Sequence, residues 1–242
     1  MNLSLNRPQI RIGINNQQYA IAMSILRHIG RKFKMKNLEN NKVNIAGVIC
    51  SDFKYSHTLC GEKFYIADLE VERTSGKSDI IPIMISDRMI KIEDLTGVAV
   101  EILGQFRSYN KHIDGKSKLL LTVFVLEIEV LENFTYNNNN IELIGYICKK
   151  PIYRKTPLGR EIADVLLAVN RQCGKSDYIP CICWGRNARY VGDFPVGTKI
   201  SIAGRVQSRT FLKKIDKETT EERVAYELSA SKVEVVEESE EN

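Results

Sequence analysis

The sequence predicts an all-β chain of two tandem five-stranded barrels, each with a short helix between its third and fourth strands. Three observations lead there. Apolar and polar residues alternate over strand-length stretches along most of the chain. The segment Gly76-Lys77-Ser78-Asp79-Ile80-Ile81-Pro82-Ile83-Met84-Ile85-Ser86 returns 98 positions later as Gly174-Lys175-Ser176-Asp177-Tyr178-Ile179-Pro180-Cys181-Ile182-Cys183-Trp184, with six of eleven residues identical. The match also continues outward in register. Gly47 answers Gly145, Cys50 answers Cys148, Gly61 answers Gly159, and Arg73 answers Arg171. After two extra residues in the later copy, Gly104 and Ser108 answer Gly204 and Ser208. Matches over about 60 positions with one small indel indicate a duplication. A period near one hundred residues suits two small domains and is too long for a solenoid.

In the first copy, residues 43–49 alternate loosely around Gly47 and read as a first strand. Residues 63–73 are a second strand, with Phe64, Ile66, Asp68 and Glu70 on one side and Tyr65, Ala67, Leu69 and Val71 on the other. Residues 80–85 are a third. A turn or two of helix fits 86–95, and strands four and five fit 98–107 and 119–131. The polar stretch 108–118 between them reads as a loop. The second copy follows the same order. Its strands are 141–148, 161–170, 178–184, 198–208 and 224–236, with a turn at Thr156-Pro157-Leu158-Gly159, a helix at 187–193 and a loop at 209–222. Five strands with a helix between the third and fourth is the order of an OB-fold Greek-key barrel, a fold that often binds oligonucleotides. The division is 41–133 for the first barrel, 134–140 for an Asn-rich linker, 141–236 for the second barrel and 237–242 for an acidic tail.

Residues 1–40 stand outside the repeat. Ile21, Ile25, Leu26 and Ile29 fall at helical spacing among Arg27, Arg31 and Lys32. The stretch is expected to be either a basic amphipathic helix, a poorly ordered tail, or a segment not natively translated, with Met35 as the start.

Charge is unevenly spread. Residues 1–41 carry +6, 42–134 carry −3, 135–232 carry +7 and the last ten −5. The second copy is the basic one, as suits a surface that meets polyanions. The six cysteines show no Cys-x-x-Cys spacing and read as free, buried thiols of a reducing cytoplasm. Tetrahedral zinc needs four convergent ligands, and the three histidines are scattered. No metal or cofactor is expected. No apolar run approaches the ~20 residues of a membrane helix. Asp68, Glu70 and Glu72 share a strand face, but Leu166, Ala168 and Asn170 replace them in the other copy, so they read as a solvated face and not a catalytic metal site.

The strand at 178–184 is the most informative. Alternation puts Tyr178, Pro180, Ile182 and Trp184 on one side and Ile179, Cys181 and Cys183 on the other. Rings flanked by Lys175 and Arg186 suit bases that stack while their phosphates are held nearby.

The second copy resembles the DNA-binding domain of bacterial single-stranded DNA-binding proteins, in the form found in low-GC Gram-positive bacteria. The resemblance is carried by Ile144-Gly145, Tyr153, Thr156-Pro157-Leu158-Gly159, Ala168-Val169-Asn170-Arg171, Asp177-Tyr178-Ile179-Pro180-Cys181, Trp184, and Gly204-Arg205-Val206-Gln207-Ser208-Arg209 with Phe211. It implies stacking by Tyr178, Trp184 and Phe211. It also implies a backbone path along Arg154, Lys155, Arg171, Lys175, Arg186, Arg205, Arg209, Lys213 and Lys214. The first copy has Ile80, Ser86 and Lys111 at the ring positions. It is expected to be either a weaker site built on Arg73, Lys77, Arg107 and Tyr109, or a structural and oligomerising domain. Family members usually end in a long tail with an acidic Pro-Phe tip that recruits replication and repair enzymes. Here the sequence ends in Glu237-Glu238-Ser239-Glu240-Glu241-Asn242, which puts such recruitment in doubt. A homodimer would supply the four barrels that the family assembles. The expected function is coating single-stranded DNA in replication, repair or recombination, without catalysis. The alternative is an RNA-binding or primosome-type accessory protein.

Overall fold

Alternation becomes strand first at β1 (Asn41–Ile49), which buries Val43, Ile45 and Ile49 completely. The computed structural model describes residues 39–89, 95–113, 116–132, 138–214 and 220–237. After β1 come β2 (Lys54–Leu59), β3 (Glu62–Glu72), β4 (Ser78–Ser86), β5 (Ala99–Ile113) and β6 (Lys116–Val130). β1 pairs with β3, β3 with β4, β4 in parallel with β6, β6 with β5, and β5 with β1 again. Five strands thus close on themselves, and β2 adds a hairpin to β3.

The second half repeats this path with β7 (Asn139–Ile147), β8 (Ile152–Lys155), β9 (Glu161–Asn170), β10 (Ser176–Trp184), β11 (Lys199–Lys214) and β12 (Thr220–Val235). Its ring runs β7, β9, β10, β12, β11 and back to β7, with β10 and β12 parallel. Helix α1 (Arg186–Gly192) lies between β10 and β11. It buries Ala188 and Val191, three positions apart, against β9, β10 and β12. Each inward Ile, Leu or Val contributes about 1.5–3 kcal/mol by burial, and one apolar core runs through both halves.

Two features join the halves. β1 pairs antiparallel with β7, Val43 opposite Ile141. A pair of reciprocal clasps adds to this. Asp177 takes Arg171 Nε at 2.7 Å and the backbone N–H of Ser108 at 2.5 Å, while Arg171 donates to the Ser108 carbonyl at 2.9 Å. In mirror fashion Asp79 takes Arg73 Nε at 2.6 Å and the Ser208 N–H at 2.7 Å, and Arg73 donates to the Ser208 carbonyl at 3.2 Å. The repeated Arg, Asp and Ser of the sequence therefore hold one half to the other.

The repeated glycines mark places where strands nearly touch. A Cβ on Gly47 would lie 2.2 Å from the Glu70 carbonyl oxygen, and one on Gly145 would lie 2.4 Å from that of Ala168. These are the points where β1 and β7 exchange partners to close their rings. Gly145→Ala is expected to cost about 3 kcal/mol by overpacking against backbone, or roughly 6–12 °C in Tm for a chain of this size. Gly192→Ala, where a Cβ meets Tyr153 at an ordinary 3.5 Å, should shift Tm by no more than about 2 °C. Thermal unfolding followed by circular dichroism checks both.

Several expectations change. The described residues of 108–118 and 209–222 are strand, not loop. β5 runs to Ile113 and β6 starts at Lys116, while β11 runs to Lys214 and β12 starts at Thr220. The β11–β12 arm is largely exposed on both sides, so its composition mimics a loop. Cross-strand pairs such as Lys213 with Glu221 and Phe211 with Arg223 reveal it. β2 and β8, short and exposed, carried no alternation to find. The Asn-rich linker is partly strand. Asn139 donates to the Val206 carbonyl at 2.8 Å and accepts its N–H at 2.9 Å, as Asn41 does with Phe106. An amide side chain carries both donor and acceptor, so it can complete a backbone ladder. Cys181 and Cys183 are buried, and burial pushes the Cys183 thiol up to about 12. Cys50, Cys60 and Cys173, however, are exposed, because they sit at strand ends and turns. The expected N-terminal segment, most of the first-half helix, residues 133–137 of the linker and residues 238–242 of the tail lie outside the described residues. Among the described residues no helix is long and apolar enough to cross a membrane.

Candidate nucleic-acid interface

β10 carries the candidate surface. Its alternation is inward for Ile179, Cys181 and Cys183 and outward for Tyr178 and Trp184, which are 47% and 37% exposed. Ile182, on the outward side by parity, is buried where β12 joins in parallel. The Trp184 indole N–H donates to Ser229 Oγ at 3.1 Å, which fixes the ring beside β12.

A groove of about 490 Å³ opens at Trp184, with Arg205, Arg209, Glu227 and Ser229 among its walls. Arg73 of the first half closes one side of it. Glu227, almost fully buried, accepts from Gln207 at 2.8 Å and from Arg209 at 3.4 Å. Arg209 also stands 5.6 Å from the Phe211 ring, which is half-buried on the β11–β12 arm. Arg205 donates to Gln207 at 3.0 Å, yet its Nε is buried without a partner. Such an arginine has donor capacity left for an anion.

Cross-strand registers extend the surface both ways. Arg154, Ile162 and Trp184 are in line across β8, β9 and β10. Tyr178, Ala168, Tyr146 and Lys199 are in line across β10, β9, β7 and β11. The Lys199 ammonium lies 5.7 Å from the Tyr146 ring. Sequence reasoning missed Tyr146 and Lys199, because only the register shows their row.

The expected cations divide into groups. Arg205 and Arg209 stand in the groove. Lys213 and Lys214 are exposed on the arm, and Lys155, Lys175 and Arg186 are exposed at strand and helix ends. Arg154 is exposed but paired with Asp164 at 2.8 Å. Arg171 and Arg73 are the departures: their guanidiniums are engaged in the clasps, with Asp177 and Asp79 at 2.5 Å. An Asp six residues downstream holds each of them.

In the first half, Ile80 is 39% exposed and Ser86 is buried, so no ring occupies the positions of Tyr178 and Trp184. Lys77 is exposed. Arg107 and Tyr109 do meet, in a separate recess together with Phe64 and Phe124, two rings the sequence reading did not select.

Residues 138–236 match the model of the Single-strand binding protein family. Over 80 residues the chain is 38% identical to Single-stranded DNA-binding protein A of Bacillus subtilis (strain 168), covering 30% of this chain and 46% of that protein. It is likewise 38% identical over 80 residues to Single-stranded DNA-binding protein 2 of Listeria monocytogenes, covering 30% of this chain and 50% of that one. The chain thus spans about half the length of these relatives. The fold is similar to that of the wild-type single-stranded DNA binding protein from Thermus aquaticus, with a TM-score of 0.63 at 18% identity. That likeness covers 84% of this chain and 95% of the other, so it extends over both halves. The likeness to the single-strand binding protein family is thus carried by residues 138–236.

Proposed function

We propose that the chain binds single-stranded DNA with little sequence preference, through the face of β10 and the groove beside it. Each closed ring of five strands is taken as one OB barrel, 41–133 and 141–236. The observation that carries the proposal is the outward pair Tyr178 and Trp184 on one strand, with Arg205 and Arg209 in the groove at Trp184. A base has a π-face whatever its identity, so exposed rings bind without reading sequence. Guanidiniums beside them hold the phosphates and release counterions. The names of the curated relatives point the same way. The role is that of a binding protein in replication, repair or recombination, and Asp68, Glu70 and Glu72 have no part in it. A homodimer supplying four barrels belongs to the same reading, and mass photometry with and without oligo-dT tests it.

Fluorescence anisotropy with labelled oligo-dT and a duplex of equal length tests the main claim. Oligo-dT is expected to bind at least tenfold more tightly. With about four phosphates contacted, its affinity should fall about a thousandfold for each tenfold rise in salt. Equal affinity for single strand and duplex overturns the proposal.

A further inference from the structure

The first half holds a recess of about 500 Å³ that neither the family match nor the repeat accounts for. Its walls include His57, Phe64, Tyr109, Phe124, Arg107 and Arg171. The rings are already arranged. His57 stacks on Phe64 at 5.0 Å and 14°, and Phe64 meets Phe124 at 5.8 Å. The Arg107 guanidinium lies 3.7 Å over the Phe124 ring.

Comparison of the halves shows how this site was made. In register, Gln105 is opposite Phe124 in the first half, and Arg205 is opposite Ser229 in the second. Two positions on, Arg107 answers Gln207. Each half therefore keeps one arginine hydrogen-bonded to one glutamine, with the two exchanged in order. The ring is exchanged too: Trp184 rests on Ser229 in the second half, whereas Phe124 takes the place of Ser229 in the first, where Ser86 takes the place of Trp184. Ring and cation survive together at new positions. Their setting differs. Trp184 stands on an open lip, but Phe64 is only 7% exposed and Phe124 is half-buried. The two cavities are alike in volume, about 490 and 500 Å³, so ring burial separates them: an open lip suits a running chain, and rings sunk this far suit a single flat unit.

Charge and continuity indicate the occupant. Arg107 forms no salt bridge among the described residues, and Asp177, a carboxylate that raises its pKa, is already clasped by Arg171. Burial, with the neighbouring Arg171 cation, draws its pKa down to about 10. It stays protonated near neutral pH, and an anion there would offset the cost of its burial. The recess also adjoins the second half's ring row. Ser108, between Arg107 and Tyr109, accepts the backbone N–H of Tyr178 at 2.8 Å. A strand lying on Tyr178 therefore has the recess within reach of its neighbouring nucleotides.

We propose that this recess takes one unstacked base, with its phosphate against Arg107, from the same single strand that lies on Tyr178 and Trp184. The inference rests on the reading of the second half as a single-strand binder. The test uses full-length protein and oligo-dT carrying one 5-iodouracil, moved along the oligonucleotide, with photo-crosslinks mapped by mass spectrometry. Trp184, the only tryptophan, reports on the second half by its quenching. The expected result is a crosslink to Phe64, Tyr109 or Phe124 from a narrow range of iodouracil positions, alongside quenching of Trp184. Quenching with crosslinks confined to Tyr178, Trp184 and Phe211 overturns the recess and leaves the parent reading standing. Neither quenching nor crosslinks overturns both. Phe124→Ser, which installs the second half's residue, should weaken long oligo-dT about tenfold and leave the shortest quenching oligonucleotide unaffected. Millimolar thymidine monophosphate should not block the crosslink. If it does, the recess is a mononucleotide site and the strand assignment falls.

Discussion

Replacing Tyr178 and Trp184 together with alanine is expected to weaken oligo-dT binding about a hundredfold or more, with little change in Tm. Stacking a base on an aromatic ring is worth roughly 1–3 kcal/mol, so two rings supply about 2–6 kcal/mol. Both side chains already face solvent, and neither belongs to the core that closes the ring of strands. The folding loss is confined to the Trp184 hydrogen bond to Ser229, worth about 1 kcal/mol. Trp184→Phe keeps a ring and loses only that bond, so it should stay within about fivefold of wild type. The electrostatic contribution separates from this. Arg209→Gln should lower the salt slope by about 0.7, whereas the ring variants should lower affinity at every salt concentration and leave the slope alone. Anisotropy titrations at several salt concentrations measure all of these. Unchanged affinity in the double variant, or a loss matched by a collapse in Tm, means the rings are not the binding surface.

The sequence made the ring strand readable because β10 alternates except at Ile182 and sits in a repeat whose other copy lacks the rings. Strands with one apolar side were readable for the same reason. The glycines at 47, 145, 104 and 204 were visible as matches, but their cause is a carbonyl about 2–2.5 Å from an absent Cβ, a distance set by a strand far along the chain. The clasps of Arg171 and Arg73 were not readable, because an arginine near a nucleic-acid motif looks the same whether or not an aspartate holds it. Only the fold shows Asp177 and Asp79 fully covered beside them. The recess escaped notice because comparing copies position by position finds rings missing at 80 and 86. Its rings come instead from β3 and β6, which meet β4 on its two sides.

Asp177→Ala and Asp79→Ala should each lower stability by about 3 kcal/mol, the size expected when one partner of a buried ion pair is removed. The Asp177 side chain is 1% exposed and that of Asp79 fully covered, while Arg171 and Arg73 are about a quarter exposed. Removing either carboxylate strands a guanidinium and the N–H of Ser108 or Ser208 at the seam between the halves. For a chain of this size that is roughly 6–12 °C in Tm for each variant. The two clasps share no partner, so the double variant should come close to the sum. It would then lose about 6 kcal/mol, a large share of the 5–15 kcal/mol that a folded protein holds in reserve. Acid provides an independent check through Asp79. Burial raises its carboxyl pKa, but Arg73 and the Ser208 N–H and hydroxyl outweigh that and leave it below the ordinary value. A carboxyl with a depressed folded pKa stabilises fully above its unfolded value, near 3.9, and loses that contribution as pH falls through the folded one. The Tm gap between wild type and Asp79→Asn should therefore be wide at pH 7, begin to narrow below about pH 4, and close at lower pH. A gap absent at pH 7, or one that stays constant into acid, shows that the charge on Asp79 does not hold the seam, leaving the Asp177 clasp and the β1–β7 pairing to join the two halves.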